Sequence, residues 1–277
     1  MSSIVIFGPP GTGKSTLVST LCKLGYIPYI YDADHKMKEM NHLKPLIDSG
    51  KIRVYTPSAK LNEGNLRTRF LQGTKGKILK QPQGYLELID WVNDLEENPH
   101  DDHEIEVPVI DSFTRVAEHL RRGVLYVQGK SQMEFAEWGF VLSNLEELFD
   151  SFFGLQSIQL EVDKDGNETD IPSLYPHAII IAHDMSEKDD VTGVTKILPH
   201  VEGSMRSKLG SLVSEMYYTK CETRGTDVRY IVQTKPVGMI HQARSSMDVP
   251  TYMDADFEEI FADRDDLPIN RAKKKGK

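Results

Sequence analysis

Cysteine is nearly absent from this sequence. Cys22 and Cys221 are its two cysteines in 277 residues, and neither belongs to a Cys-x-x-Cys or Cys/His spacing. This scarcity excludes a disulfide framework and a cysteine zinc site, and it is typical of reduced thiols in the cytoplasm. The sequence also lacks any apolar run near the roughly 20 residues that a transmembrane helix requires. We therefore expect a cytoplasmic protein that has no membrane partner.

The sequence also has no excess of positive charge. Lys and Arg number 33 against 42 Asp and Glu, and the resulting net charge of −9 excludes a chain-wide cationic surface for nucleic acid. The charge is uneven, because residues 51–80 carry eight cations and one acid, whereas residues 248–266 carry eight acids and one cation. We expect a local basic patch at 51–80 that binds a polyanion, and an acidic segment that competes for it.

Hydrophobic patterns predict strands and helices in alternation. Short apolar runs predict strands at 3–7, 27–31, 52–56, 106–112 and 177–182, and a terminal strand pair at 213–221 and 228–234. Apolar residues at helical spacing predict helices at 14–24, 84–97, 113–123 and 134–153. This order favours an α/β fold with a mostly parallel sheet that is flanked by helices.

The connecting segments predict the domain organisation. We expect one core at residues 1–247, with an insertion at about 156–176 and a mobile loop at about 185–200. The remaining residues, 248–277, are expected to form a flexible tail that is first acidic and then basic.

A glycine-rich motif follows the first predicted strand and opens the first predicted helix. Residues 8–15 read GPPGTGKS and fit G-x-x-x-x-G-K-[ST], the phosphate-binding loop (P-loop). Backbone N–H groups and the helix N-terminus favour phosphate there, Lys14 neutralises the β and γ oxygens, and the Ser15 hydroxyl ligates Mg²⁺. We therefore expect an ATP and Mg²⁺ site. Its predicted binding residues are Gly8, Pro9, Pro10, Gly11, Thr12, Gly13, Lys14, Ser15 and Thr16.

A second metal ligand is predicted at Asp111, where the apolar strand 106–112 ends. A carboxylate at this place would hold Mg²⁺ through water. The structural alternative is an N-cap for the following helix. The next residue is Ser112, whereas AAA+ motors commonly carry a water-activating glutamate there, so the catalytic base must lie elsewhere.

Asp34 is the candidate for that base. It follows the second predicted strand, and the carboxyl ends of parallel strands line the ligand crevice of α/β folds. A polar strand end or a helix cap is the alternative. The stretch 30–35, IYDADH, resembles the segment I-D-A-E-H of bacterial RecA-type recombinase cores, whose glutamate is the catalytic base. The resemblance places that role on Asp34, which is one methylene shorter, so the attacking water would have to lie closer.

Two further stretches resemble RecA-type cores. The strand that precedes His183 is similar to the sensor strand, whose polar residue contacts the γ-phosphate and moves a DNA-binding loop; a strand-end histidine is the alternative. Residues 229–236 resemble the last core strand, after which recombinase filaments present a lysine to the neighbouring subunit's nucleotide. The resemblance implies this catalytic contact in trans for Lys235. Further candidates for it are Arg244, Arg206 and Lys208.

The order of motifs is similar to that of bacteriophage RecA-like ATPases, a group that includes Sak-type single-strand annealing proteins. The shared features are the P-loop, the VIDS sequence at 109–112, Trp138-Gly139, Ala182-His183 and the segment 203–209, over roughly residues 3–245. The resemblance implies a RecA-like P-loop ATPase that acts on single-stranded DNA in phage recombination, by annealing or strand pairing, in the host cytoplasm. It also implies a homo-oligomer, ring or filament, and a phage or host single-strand-binding protein as a further partner.

Two other functions fit the same loop. A nucleotide or small-molecule kinase would need a cationic lid, for which Arg121, Arg122 and Arg206 are the candidates. A nucleotide-gated loader or binding module with negligible hydrolysis is the other alternative, because Asp34 is short for a base.

Overall fold

The computed structural model describes residues 1–58, 83–98, 105–130, 132–156, 159–162, 168–171, 175–190, 193–264 and 267–268. Twelve strands lie in these ranges. In chain order they are β1 Ser2–Phe7, β2 Ile27–Asp32, β3 Arg53–Tyr55, β4 Glu106–Asp111, β5 Gln159–Val162, β6 Glu168–Ile171, β7 His177–Ala182, β8 Asp184–Lys188, β9 Thr195–Pro199, β10 Glu215–Arg224, β11 Asp227–Gln233 and β12 Tyr252–Asp254.

The α-helices of the described ranges alternate with these strands. They are α1 Lys14–Ser19, α2 Lys44–Asp48, α3 Gln83–Glu97, α4 Phe113–Gln128, α5 Phe135–Gly154, α6 Met205–Leu212 and α7 Phe257–Ile260. The predicted helix 14–24 is divided, because its second half, Thr20–Leu24, is a 3₁₀ helix that ends at Gly25 in the left-handed conformation.

Eight strands form one central sheet in the order β12-β11-β10-β1-β7-β4-β2-β3. The pairs from β10 to β3 are parallel, and β11 and β12 are antiparallel additions at one edge. Every residue of β4 and β7 is buried, as expected for central parallel strands whose two faces are covered. The predicted fold class is confirmed: an α/β P-loop fold with a mostly parallel sheet, flanking helices and C-terminal antiparallel strands.

Apolar side chains pack on both faces of this sheet. One cluster places β-strand residues such as Val5 and Ile180 against helices α3, α4, α5 and α6. The other cluster places Ile4 and Ile179 against α1, the 3₁₀ helix and α7. Alternate residues of β1 and β7 thus point to opposite layers, and the carboxyl ends of the parallel strands meet along one edge.

The segment 185–200, predicted to be a mobile loop, differs from that prediction in the structure. Most of it is a two-stranded antiparallel hairpin, β8–β9, in which Met185 pairs with Leu198. Its base is closed by a 2.7 Å hydrogen bond from the N–H of His200 to the carbonyl of His183. The polar composition concealed the strands because the hairpin lies outside the central sheet and three of the five β8 residues are exposed.

The core extends beyond the predicted boundary at residue 247. β12 pairs with β11, and Phe257, Ile260 and Phe261 are almost completely buried beneath the sheet. The acidic side chains of 248–264 therefore belong to a packed segment, whose Asp256 accepts a hydrogen bond from Lys23. The basic residues at 271–277, and residues 59–82 of the basic stretch, lie outside the described residues.

Candidate nucleotide site

The P-loop leaves β1 and rests against a strand from the far end of the chain. A Cβ atom on Gly8 would lie 2.5 Å from the carbonyl oxygen of Thr219 on β10, so this close approach requires glycine. The Thr12 hydroxyl lies 2.7 Å from the Thr219 hydroxyl and donates to the carbonyl of Pro9 at 2.8 Å. These contacts fix the curl of the loop, so Gly8, Pro9 and Thr12 shape it from within.

Lys14 places its ammonium at the mouth of the loop. Its Nζ donates to the carbonyl oxygens of Gly8 and Pro9, both at 2.7 Å, and the side chain is buried. Burial lowers the pKa of Lys14, and the nearby carboxylates of Asp111, Asp184 and Asp34 oppose that shift. The ammonium is thus held where the phosphate oxygens of a bound nucleotide would meet it.

Ser15 and Asp111 come together as the sequence predicts for a Mg²⁺ site. The Ser15 hydroxyl donates a 2.6 Å hydrogen bond to Oδ2 of Asp111, at the end of β4. Burial raises the pKa of Asp111 to about 6, against the opposing effect of the Ser15 hydrogen bond. Mg²⁺ prefers oxygen ligands. This pair offers a hydroxyl and a buried carboxylate whose negative charge is only partly balanced by nearby groups.

The described residues contain no group of three or more His, Cys, Asp or Glu side chains arranged for a metal ion. Mg²⁺ typically binds with few protein ligands and completes its shell with phosphate and water, so the Ser15 and Asp111 pair fits this ion.

The two aspartates that follow β2 have different surroundings. Asp32 is buried and accepts hydrogen bonds from the N–H groups of Lys36 at 3.1 Å and Met37 at 2.9 Å, so its carboxylate caps the next turn. Asp34 faces the cavity instead. Burial raises the pKa of Asp34, but His183 and Lys36 outweigh this, and the net shift is downward. Asp34 is therefore an ionised carboxylate at neutral pH.

His183 lies at the end of β7, beside Asp34. Its Nε2 is 3.8 Å from Oδ2 of Asp34, and its backbone N–H donates to the Thr114 hydroxyl at 3.0 Å. The same hydroxyl donates to the carbonyl of His200 at 2.9 Å. Thr114 thus ties the start of α4 to both ends of the β8–β9 hairpin, next to the predicted sensor residue.

One cavity of about 280 Å³ collects most of the predicted residues. Its described walls include the Mg²⁺ pair, the base candidate, the sensor candidate and the helix N-terminus. The predicted residues in these walls are Pro10, Gly11, Gly13, Lys14, Ser15, Thr16, Asp34, Asp111 and His183. Met37, Met40, His42 and Tyr230 complete the lining together with Asp32 and Lys36.

A second cavity of about 480 Å³ adjoins the first at Asp34 and His183. Arg115 and Arg121 line it, and each lies near a carboxylate: Arg115 pairs with Glu118 at 2.5 Å, and Arg121 lies 3.8 Å from Glu202. Sequence patterns gave no sign of this cavity, because it forms between α4 and the residues that flank the β8–β9 hairpin.

Lys235 is not brought to either cavity. It lies on the exposed loop after β11, where Gln233 donates a 2.9 Å hydrogen bond to its carbonyl oxygen. The other predicted trans-acting cations have partners within the chain. Arg206 pairs with Glu187, Lys208 with Glu146, and Arg244 donates to the carbonyl of Gly210.

Sequence reasoning missed Thr219, Tyr230 and Thr114. The first two lie on β10 and β11, and they reach the P-loop only because β10 pairs with β1 in parallel. No local pattern announces a contact between residues that are more than 200 positions apart. For Thr114, the available signal was its position at the start of the helix that follows Asp111.

Comparison with solved structures finds similar chains at low identity. The flagellar accessory protein FlaH from Methanocaldococcus jannaschii is 12% identical, with 91% of this chain and 83% of FlaH covered, at a TM-score of 0.40. The RadB recombinase is 13% identical, with 91% and 86% covered, at a TM-score of 0.44. The ATPase EscN of enteropathogenic E. coli is 15% identical, with 79% and 42% covered, at a TM-score of 0.44.

No protein-family model matches the chain, and no curated protein matches it. At such identities and TM-scores the activities of those three proteins do not carry over to this chain. No helix in the described part of the chain is long and apolar enough to cross a membrane.

Proposed function

We propose that this chain is a Mg²⁺-dependent ATPase with a RecA-like core. The observation that carries the proposal is the convergence of Lys14, Ser15, Asp111 and Asp34 around one cavity at the carboxyl edge of the parallel sheet. Each of these side chains has the chemistry that phosphoryl transfer to water requires. Lys14 and Ser15 belong to the P-loop, Asp111 ends β4, and Asp34 follows β2.

The P-loop and Lys14 would bind the phosphates of the nucleotide. The β- and γ-phosphate oxygens would replace the carbonyls of Gly8 and Pro9 as partners of the Lys14 ammonium, which is already held within hydrogen-bond distance of that position. Ser15 and Asp111 would hold Mg²⁺, which supplies charge neutralisation across the phosphates when bound. The buried, negatively charged Asp111 favours that cation.

Asp34 would act as the catalytic base in hydrolysis. Its lowered pKa keeps the carboxylate ionised, so it can accept a hydrogen bond from the attacking water and orient it toward the γ-phosphate. His183 lies within reach of Asp34 and closes the cavity on that side. Asp32 is occupied as a cap and is therefore not the base.

The decisive experiment measures phosphate release and ATP binding for wild type, Lys14→Ala and Asp34→Asn. The proposal expects Lys14→Ala to lose binding, and Asp34→Asn to keep binding but lose turnover. Binding without turnover in the wild type would instead support the loader or binding-module alternative. Equal activity of all three proteins would refute the proposed site.

A phosphoryl acceptor other than water is the second candidate, favoured by the second cavity. This cavity meets the first beside Asp34, and Arg115 and Arg121 offer cationic groups to a substrate phosphate. Incubation with nucleoside monophosphates and ATP tests this kinase function. Labelled product from a monophosphate supports it, and release of inorganic phosphate alone rejects it.

We propose single-stranded DNA as the polymer acted on, in phage recombination by annealing or strand pairing. Support comes from the family resemblance and from the cations of residues 51–80. The N–H of Ser58 donates to Glu87 at 2.6 Å, so the two described flanks of that stretch lie side by side at the first turns of α3.

Salt dependence tests the DNA proposal. Binding through six to ten phosphate contacts loses about 10³-fold or more in affinity between about 50 and 200 mM salt. A variant with Lys75, Lys77 and Lys80 changed to Ala should bind weakly, and a control with Lys273, Lys274 and Lys275 changed to Ala should bind as wild type. Salt-insensitive binding, or none with ATP and Mg²⁺, would exclude this function.

We also propose a homo-oligomer in which Lys235 contacts the neighbouring subunit's nucleotide. Its exposed position after β11 is compatible with a contact outside its own chain. A mixture of two inactive variants, Lys14→Ala and Lys235→Ala, should regain hydrolysis, because some interfaces then combine an intact P-loop with an intact Lys235. A mixture that stays inactive would refute the trans contact.

A further inference from the structure

Tyr230 gives the nucleotide cavity one flat aromatic wall. Its ring lies against the P-loop, because a Cβ on Gly13 would be 3.0 Å from Cδ1 and 3.1 Å from Cγ of the tyrosine. The side chain is 41% exposed and borders the same cavity as Lys14 and Ser15. Among the described lining residues it is the one Phe, Tyr or Trp.

The strand order places Tyr230 opposite the phosphate-cleaving groups. β1, which leads into the P-loop, lies between β7 and β10. Asp34, Asp111 and His183 follow β2, β4 and β7, all on one side of β1, whereas Tyr230 is on β11 on the other side. A triphosphate whose γ-phosphate lies at Asp34 therefore directs its nucleoside toward Tyr230.

The backbone that carries the Tyr230 ring is held in place by the sheet. Tyr230 pairs with Cys221 across β10 and β11, and its carbonyl accepts a 3.1 Å hydrogen bond from the N–H of Ala255 on the other side. Its hydroxyl makes no hydrogen bond to the described residues. A fixed aromatic ring that keeps an exposed surface loses little entropy when it binds a ligand, as a stacking platform requires.

We propose that Tyr230 is the surface on which the nucleobase of the bound nucleotide stacks. This inference rests on the proposed nucleotide-binding function and names the contact that the nucleoside makes. Stacking of a base on an aromatic side chain is worth enough to change affinity by about 10- to 100-fold when the ring is removed.

The test compares ATP with inorganic tripolyphosphate, which has the phosphates but no base, both with Mg²⁺ in titration calorimetry. Tyr230→Leu should weaken ATP binding by about 10- to 100-fold and leave tripolyphosphate binding unchanged, while Tyr230→Phe should bind both as wild type. The matched control is Tyr252→Ala, which removes a similarly exposed tyrosine of β12 that does not line the cavity. In NMR spectra the adenine H8 and H2 resonances should shift upfield on binding to wild type and Tyr230→Phe, and not on binding to Tyr230→Leu.

Three outcomes would overturn the inference. Unchanged ATP affinity in Tyr230→Leu removes the stacking role, and an equal loss for ATP and tripolyphosphate shows that the ring only supports the loop at Gly13. A selective loss of ATP affinity in Met40→Ala but not in Tyr230→Leu places the base at Met40, another apolar residue of the same cavity. If wild type binds neither ligand, the proposed nucleotide function itself fails, which is distinct from a failure of Tyr230 alone.

Discussion

The Nε2 atom of His183 lies 3.8 Å from Oδ2 of Asp34, at the place where the two cavities meet. The imidazole opposes the effect of burial on the carboxylate and helps to keep the pKa of Asp34 low. The proposed base, the candidate sensor and the junction of the two cavities thus share one contact, so a substitution at either residue should alter both cavities.

Asp34→Asn should reduce ATP turnover by about 10²- to 10⁴-fold, the usual contribution of a general base, with little change in ATP affinity. Steady-state phosphate release and equilibrium binding measure the two quantities separately. Asp32→Asn is the comparison, because Asp32 borders the same cavity but its carboxylate is engaged by the N–H groups of the following turn. It should lower the free energy of unfolding by about 1 kcal/mol and reduce turnover far less than Asp34→Asn. Equal losses of turnover in both variants would contradict the assignment.

Asp34→Glu should maintain or raise turnover. The extra methylene brings the carboxylate toward the position that a glutamate base occupies in the RecA-type segment. Pre-steady-state phosphate release compares the two carboxylates directly. A large loss of turnover with glutamate would mean that the cavity is shaped around the shorter side chain.

Ser15→Ala should weaken Mg²⁺ affinity by about 10- to 100-fold, measured as the Mg²⁺ concentration that supports half-maximal nucleotide binding. The variant removes the hydroxyl that donates to Asp111. Ser19→Ala is a suitable control, because Ser19 lies on the same helix and donates only to the carbonyl of Thr16. A Mg²⁺ requirement unaffected by Ser15→Ala would exclude Ser15 as a ligand.

Gly8→Ala should lower the free energy of unfolding by about 1 to 3 kcal/mol, as overpacking does, and should abolish ATP binding. The added Cβ would come within 2.5 Å of the Thr219 carbonyl, which belongs to the backbone of β10 and cannot turn aside. Chemical denaturation with and without ATP measures both effects. Gly139→Ala, in a site where a Cβ meets nothing within 4 Å, should be tolerated.

Stability should fall as the pH drops from about 6.5 to about 4, and His119 contributes to that fall. Burial lowers the pKa of His119 to about 4, with Arg115 and Arg122 adding to the shift, so the unfolded chain binds this proton at a higher pH than the folded chain. Above about pH 6.5 His119 is neutral in both states, and the stability that its protonation removes at lower pH is fully present. His119→Gln should flatten the pH dependence of the melting temperature relative to wild type across this window, and parallel curves would refute the role.

Local patterns predicted most of the scaffold and named several residues that line the candidate site. Continuous apolar runs such as 177–182 identified the buried strands, and the P-loop motif identified Lys14 and Ser15, because backbone curl and phosphate chemistry need those residue types at fixed spacing. The resemblance to I-D-A-E-H already favours Asp34 over Asp32. The structure adds a physical reason, because the N–H groups of Lys36 and Met37 bind the carboxylate of Asp32.

The errors arose where tertiary pairing decides structure. Most residues of β8 are exposed, so this hairpin needs few apolar side chains. The sequence at 185–200 therefore lacks the alternation of apolar and polar residues that indicates a strand. The charge of the segment after residue 247 predicts a flexible tail, whereas Phe257 and Phe261 bury their rings beneath the sheet. Deleting residues 248–277 would therefore remove part of the core. A test of whether the acidic segment competes with DNA should keep the chain at full length and neutralise exposed carboxylates such as Glu258 and Glu259.

The partnership between Gly8 and Thr219 also has a consequence for synthesis on the ribosome. The glycine-rich motif is synthesised more than 200 residues before the strand that it rests on. A nascent chain that ends before β10 lacks the support that gives the loop its shape. Under the proposed function, ATP can therefore stabilise this chain only after β10 has been made, and nucleotide binding would report that β10 has paired with β1.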